Sequence, residues 1–218
     1  MRKTTRLLWV TFKNDSQLTI KKLVLIANFL AICLLVGYIS KFIPPLFLPY
    51  LKLEFIDVFI IIAFPFLGII YTYFLVFLIP WMLMLITSVS GPIAYLALML
   101  ATGGFYSIFL IVQIPLFFII QFCGWTKNSS GKFLTIIVWI ISIFLAAIIN
   151  SFWMTFLNWA FILELYGMAS LRNQLFVVFL PFNLIKFCLE ALVYSLIVTA
   201  TWPLIEKNAN ASYYILLL

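Results

Sequence analysis

The sequence predicts an all-α integral membrane protein of six transmembrane helices with both termini in the cytoplasm. Three observations predict it: an overwhelmingly apolar composition, uncharged runs of membrane-spanning length, and a lopsided placement of lysine and arginine. Of 218 residues, 67% are hydrophobic and only 9% are charged. A soluble domain of this length cannot hide so much apolar surface, so lipid is its solvent.

A helical span needs about 20 apolar residues to cross a hydrocarbon core about 30 Å thick. The first helix is expected over roughly 22–42, where the uncharged run from Leu23 to Ser40 is stopped by Pro44 and Pro45. That run is too long for a secretory signal and ends without a small-x-small cleavage site, so it reads as an uncleaved membrane helix. From Val58 to Thr126 no residue is charged. The Pro and Gly residues of FPFLG (64–68) and SVSGP (88–92) fall near the two places where a division into three spans needs turns. Phe133 to Leu163 is a further uncharged run, and Asn173 to Ile205 is apolar except for Lys186 and Glu190. The total is six.

Charge parity agrees with that division. The chain carries 13 basic and 6 acidic residues, net +7. With three spans in the long run, Arg2, Lys3, Arg6, Lys13, Lys21, Lys22, Lys127, Lys132 and Lys207 share one side, and only Lys41, Lys52 and Arg172 face the other. The positive-inside rule makes the basic side cytoplasmic. The same placement reads the net charge as membrane flanks rather than as a nucleic-acid surface. The organisation expected is a basic cytoplasmic segment (1–20), a six-helix membrane domain (21–206) with an outer lid loop at about 44–56, and a C-terminal tail (207–218).

The residues that are missing narrow the function. The chain has no histidine, no GxxxxGK phosphate loop, no Cys, Asp or Glu cluster at metal-ligand spacing, and no nucleophile elbow. No catalytic machinery, metal or cofactor is expected. Cys33, Cys123 and Cys188 are widely spaced and read as packing residues. The two hydropathic halves do not match, so the inverted repeat of many secondary transporters is absent.

Function is therefore sought in the polar residues that remain within the apolar part. An ammonium at the bilayer centre costs roughly 2.5–3.5 kcal/mol, which directs Lys186 toward the protein interior or an aqueous cavity. Asn183 lies three positions earlier in PFNLIK (181–186), on the same helix face, and Pro181 offers a place for the helix to open. A structural ion pair between Lys186 and Glu190, one turn on, is the competing reading. A second concentration of polar residues is LPYLKLEFIDVF (48–59), where Lys52, Glu54 and Asp57 alternate with apolar residues. That pattern suits a lid over a cavity as well as it suits a solvated turn.

YLKLEFIDV, FLNWAFILELYGM (156–168) and PFNLIK, in this order, resemble the substrate-binding S components of energy-coupling factor transporters, most of all the riboflavin-specific members. The resemblance runs from about Lys21 to Glu206. It implies a multi-pass protein of the bacterial plasma membrane that captures a vitamin, riboflavin as transported ligand, from outside. It also implies partners, namely a transmembrane T subunit and two ATPase subunits that supply the energy. Residue by residue, it implies that Asn183 and Lys186 donate to the flavin ring, that Asn158 of FLNW joins them, and that Glu54 and Asp57 belong to the lid. Phe182, Trp159 and Tyr95 are candidates for stacking on a planar ring. Ala27 and Ala31 of ANFLA match the family's pair of small residues that contacts the T subunit, leaving a groove where another helix can approach.

The chain also departs from the riboflavin pattern. On the third helix VFLIP puts Val76, Ile79 and Pro80 where those members carry polar residues, and Tyr95 stands where they carry an asparagine on the fourth. An S component for a different vitamin stays open on these grounds. So do an autonomous secondary transporter using Lys186 and Glu190, and a membrane scaffold that binds no solute.

Overall fold

The computed structural model describes residues 17–44, 53–87, 91–122 and 131–208, and its regular structure there is entirely helical. We number the helices α1 (Ile20–Ser40), α2 (Ile56–Leu67), α3 (Ile69–Thr87), α4 (Pro92–Phe122), α5 (Gly131–Leu157) and α6 (Leu180–Asn208). A π-helical turn, Asn158–Ile162, carries α5 on to Leu165. A 3-10 stretch, Ala169–Gln174, and a second π turn, Leu175–Phe179, lead into α6. Helix α1 starts where the sequence supplies a cap: Thr19 Oγ1 accepts from the Lys22 amide at 3.2 Å, satisfying one of the orphan donors of the first turn.

Among the described residues, five helical segments are long and apolar enough to cross a membrane. The remaining one of the six expected helices is present but shorter. Helix α2 has 12 residues, about 18 Å at 1.5 Å per residue, well short of the hydrocarbon thickness. Its ends explain the length. It begins just after Glu54, holds Pro65 in its last turn, and stops at Gly68, whose φ of 84° is open to glycine and strained for other residues. Almost every residue of α2 is buried, so it is a core helix packed against α1, α3 and α6. The turn expected at FPFLG falls at Gly68, between α2 and α3, whereas residues 88–90 of SVSGP, between Thr87 at the end of α3 and Pro92 at the start of α4, lie outside the described residues.

The helices alternate in direction, which follows from what their ends touch. Lys41 after α1, Glu54 before α2, Gly91 and Tyr95 at the start of α4, Asn158 after α5 and Asn183 near the start of α6 all line one cavity. Thr87 at the end of α3 joins them through its hydroxyl on Tyr95. The other ends of α1, α4, α5 and α6 therefore lie at the opposite end of the bundle. Lys21, Lys132 and Lys207 occupy that far end, as the charge parity requires.

The core is aromatic. Trp139 of α5 stacks on Tyr194 of α6 with ring centroids 6.1 Å apart and planes 10° from parallel. Phe109 of α4 and Phe64 of α2 close around the same indole at 5.5 and 6.3 Å. Such ring pairs add roughly 0.5–1.5 kcal/mol each beyond their buried area. They tie α2, α4, α5 and α6 into one unit beneath the cavity. Cys33 is buried and Cys188 half-buried, both as free thiols; Cys123 lies outside the described residues.

The connection after α5 closes on a Schellman motif. The Gly167 amide donates to Glu164 O and the Met168 amide to Leu163 O, both at 2.8 Å, with Gly167 at φ 68°. A Cβ at Gly167 meets no atom within 4 Å, so only the backbone conformation resists substitution. Gly167→Ala is expected to cost about 1–2 kcal/mol, read as a lower thermal midpoint in detergent.

Candidate substrate-binding site

A cavity of about 430 Å³ opens at the end of the bundle where α4, α5 and α6 diverge, within the range of small-molecule sites. Five of the six residues expected to bind substrate line it: Glu54, Tyr95, Asn158, Asn183 and Lys186. They come from segments far apart in sequence, which is what the alternating topology achieves.

Lys186 and Asn183 point into the same space, as their i, i+3 spacing on α6 predicts. Both are nearly fully buried. The Asn183 carboxamide is oriented by its neighbour: Nδ2 donates to Thr155 Oγ1 at 3.1 Å, and that hydroxyl donates to Ser151 O at 2.8 Å. With the nitrogen held by α5, Oδ1 is the carboxamide atom left to accept from a ligand. Asn183 is thus better placed as an acceptor than as the donor the family comparison implies. Lys186 supplies the donor, three residues along.

The Lys186–Glu190 pair also exists, with Nζ 3.8 Å from Oε1. It does not fill the space beside the lysine, because Lys186 lines the cavity as well. Asp57 departs from expectation. It sits in the first turn of α2, 1% exposed, with Oδ2 3.9 Å from Lys186 Nζ and Oδ1 accepting from Thr102 Oγ1. It is a buried counter-ion beneath the cavity and not a lid residue. The physical reason is charge: an ammonium brought inside the bundle needs a carboxylate, and the only acidic residue of α2 reaches it.

Glu54 does stand at the mouth. Its Oε1 is 3.5 Å from Lys41 Nζ, and that ammonium lies 5.2 Å from the centre of the Tyr95 ring. The Tyr95 hydroxyl is shared with Thr87 Oγ1, so the ring offers its face and edge to the cavity. Tyr166 lines the mouth from the connection after α5. Burial pushes its phenol above the usual value and the Glu54 carboxylate adds to the effect, which places these two groups near each other. The rest of the expected lid, residues 45–52 with Lys52, lies outside the described residues.

The π turn at Asn158–Ile162 sets the remaining contact. Its i→i+5 bond, Leu163 amide to Asn158 O, widens the helix where Asn158 and Ile162 reach the cavity. The aromatic expectations divide. Phe182 and Tyr95 line the cavity, whereas Trp159 is 54% exposed and packs on Phe156 on the outer surface. Pro181 does not break α6. It lies in the first turn, and the preceding π turn, closed by the Leu180 amide on Leu175 O, accommodates the amide that proline lacks.

The apolar third-helix positions are core residues. Val76, Ile79 and Pro80 are buried, and none of them lines the cavity. Thr155, Lys41 and Tyr166 were not singled out from sequence. Thr155 had one usable signal: it precedes Asn158 by three residues, on the same helix face. Ala27 and Ala31 are exposed on the outer face of α1, in a stripe with Val24 and Leu35.

No protein-family model matches this sequence, and no curated protein matches it. A solved structure of the S component of a bacterial ECF transporter does match. It is 23% identical, with a TM-score of 0.64, over 84% of this chain and 96% of the other. The chain therefore shares the fold of that S component.

Proposed function

We propose that this chain is the vitamin-binding S component of an energy-coupling factor transporter and that its ligand is riboflavin. The observation that carries the reading is the convergence of Asn183, Lys186, Asn158, Tyr95 and Glu54 on one cavity of about 430 Å³, in a chain with the S-component fold. Asn183 Oδ1 as acceptor and Lys186 Nζ as donor form an adjacent pair. An imide edge, with N–H beside C=O, complements that pair, and the flavin ring carries such an edge. Asn158 adds a carboxamide with both acceptor and donor. Phe182 and Tyr95 supply apolar walls for the planar ring.

In this reading the cavity faces outward, the basic end of the bundle is cytoplasmic, and the Lys41–Glu54 pair sits at the entrance. A T subunit docks on the α1 stripe around Ala27 and Ala31, and two ATPases provide the energy. The chain supplies capture, orientation and exclusion of water; it performs no chemistry on the ligand. Titrating riboflavin with the purified protein tests the assignment, since burial against aromatic residues quenches flavin fluorescence. Saturable quenching supports it. An absence of quenching at micromolar riboflavin removes riboflavin and leaves the S-component reading to be tested with other planar vitamins.

A further inference from the structure

Lys186 has two carboxyl neighbours. Its Nζ lies 3.9 Å from Asp57 Oδ2 and 3.8 Å from Glu190 Oε1, and both acidic residues are 1% exposed. The two carboxyl groups flank the same ammonium, so they lie close to one another. If both are ionised, the trio carries one uncompensated negative charge in a buried site, which is costly.

Hydrogen bonding leads to the same place. Among the described residues, none donates a hydrogen bond to Asp57 Oδ2 or to either carboxyl oxygen of Glu190. Two facing carboxylates offer only acceptors; a single proton between them turns one into a donor and satisfies the other. Among the described residues, α1 contributes the buried Cys33 thiol, α4 gives Asp57 the Thr102 hydroxyl, and the Glu54 carboxylate is matched by Lys41. Helix α5 has no charged residue from Phe133 to Leu157.

We propose that Asp57 and Glu190 share one proton and that this proton is bound together with the ligand of the cavity. The second half rests on the reading of the cavity as a ligand site. A ligand that engages Lys186 draws the ammonium toward its carbonyl and displaces water from beside the carboxyl pair. Both changes disfavour a second carboxylate, so the bound state keeps the proton into more alkaline solution than the free state does. The sign follows: affinity is level where the free protein already holds the proton, and it falls by up to about tenfold per pH unit once the free protein has lost it.

Two measurements test the proposal on the full chain. Infrared spectra of the ligand-free protein at neutral pH should show the C=O stretch of a neutral carboxyl, shifted in D2O and absent from Glu190→Gln. If the wild-type protein has no such band, the shared proton is overturned. Riboflavin titrations from neutral to alkaline pH should then show weakening affinity in the wild type and a level response in Glu190→Gln, whose carboxamide donates to Asp57 without titrating. A level wild-type response, or tightening with pH, overturns the coupling even if the variant does not fold. Failure of riboflavin to bind at every pH removes the ligand assignment instead, and the infrared band still decides the shared proton.

Discussion

Lys186→Ala is expected to weaken riboflavin binding by about 1–3 kcal/mol, roughly a five- to 150-fold rise in Kd, because the proposed charge-assisted hydrogen bond to the ligand is lost. The position of the lysine makes this the most informative single substitution. It joins the cavity to the buried acids, with Asp57 and Glu190 each within 4 Å of Nζ. Removing the ammonium also leaves those two groups without a cation. Breaking a buried pair in this way costs about 3–5 kcal/mol, so the thermal midpoint should fall together with the affinity. Fluorescence titration and thermal unfolding in the same detergent separate the two effects. An unchanged Kd in a folded Lys186→Ala protein would place the ligand elsewhere.

Ala27→Trp and Ala31→Trp should do the reverse: leave riboflavin binding intact and abolish uptake in cells or proteoliposomes that contain the partner subunits. Both alanines are exposed on the outer face of α1, and neither lines the cavity. A bulky indole there blocks the close helix approach that small residues permit, with no route to the ligand. Normal transport by both variants would show that the partner docks on another face.

Much of this architecture is legible in the sequence because lipid imposes simple rules. The uncharged runs, the turns around Pro65 and Gly91, and the lopsided lysines located the helices and their alternation. Where the sequence misled, the cause was tertiary. Glu54 and Asp57 look alike within LKLEFIDV, yet three residues separate a carboxylate at the cavity mouth from one buried against Lys186. Periodicity cannot assign that difference, because α2 is apolar on every side and has no polar face to orient it. Its shortness was equally hidden, since an uncharged run shows where a helix can lie but not how far it rises. Trp159 and Phe182 are both aromatic and both next to a site asparagine, but only one faces inward. The π turns before α6 and after Leu157 rotate those residues, and a sequence read at 3.6 residues per turn does not anticipate that rotation.

The orientation of Asn183 was likewise out of reach. It depends on Thr155, 28 positions earlier, which takes the amide nitrogen and leaves the oxygen for the ligand. The spacing of Asn183 and Lys186 was readable; their pairing as acceptor and donor was not.

A crystal structure of the protein saturated with riboflavin decides whether Asn183 and Lys186 hold the ligand. The flavin ring is expected within the cavity, its N–H on Asn183 Oδ1 and an adjacent carbonyl within about 3 Å of Lys186 Nζ. A cavity without flavin, or a ring bound away from these two side chains, would contradict the assignment.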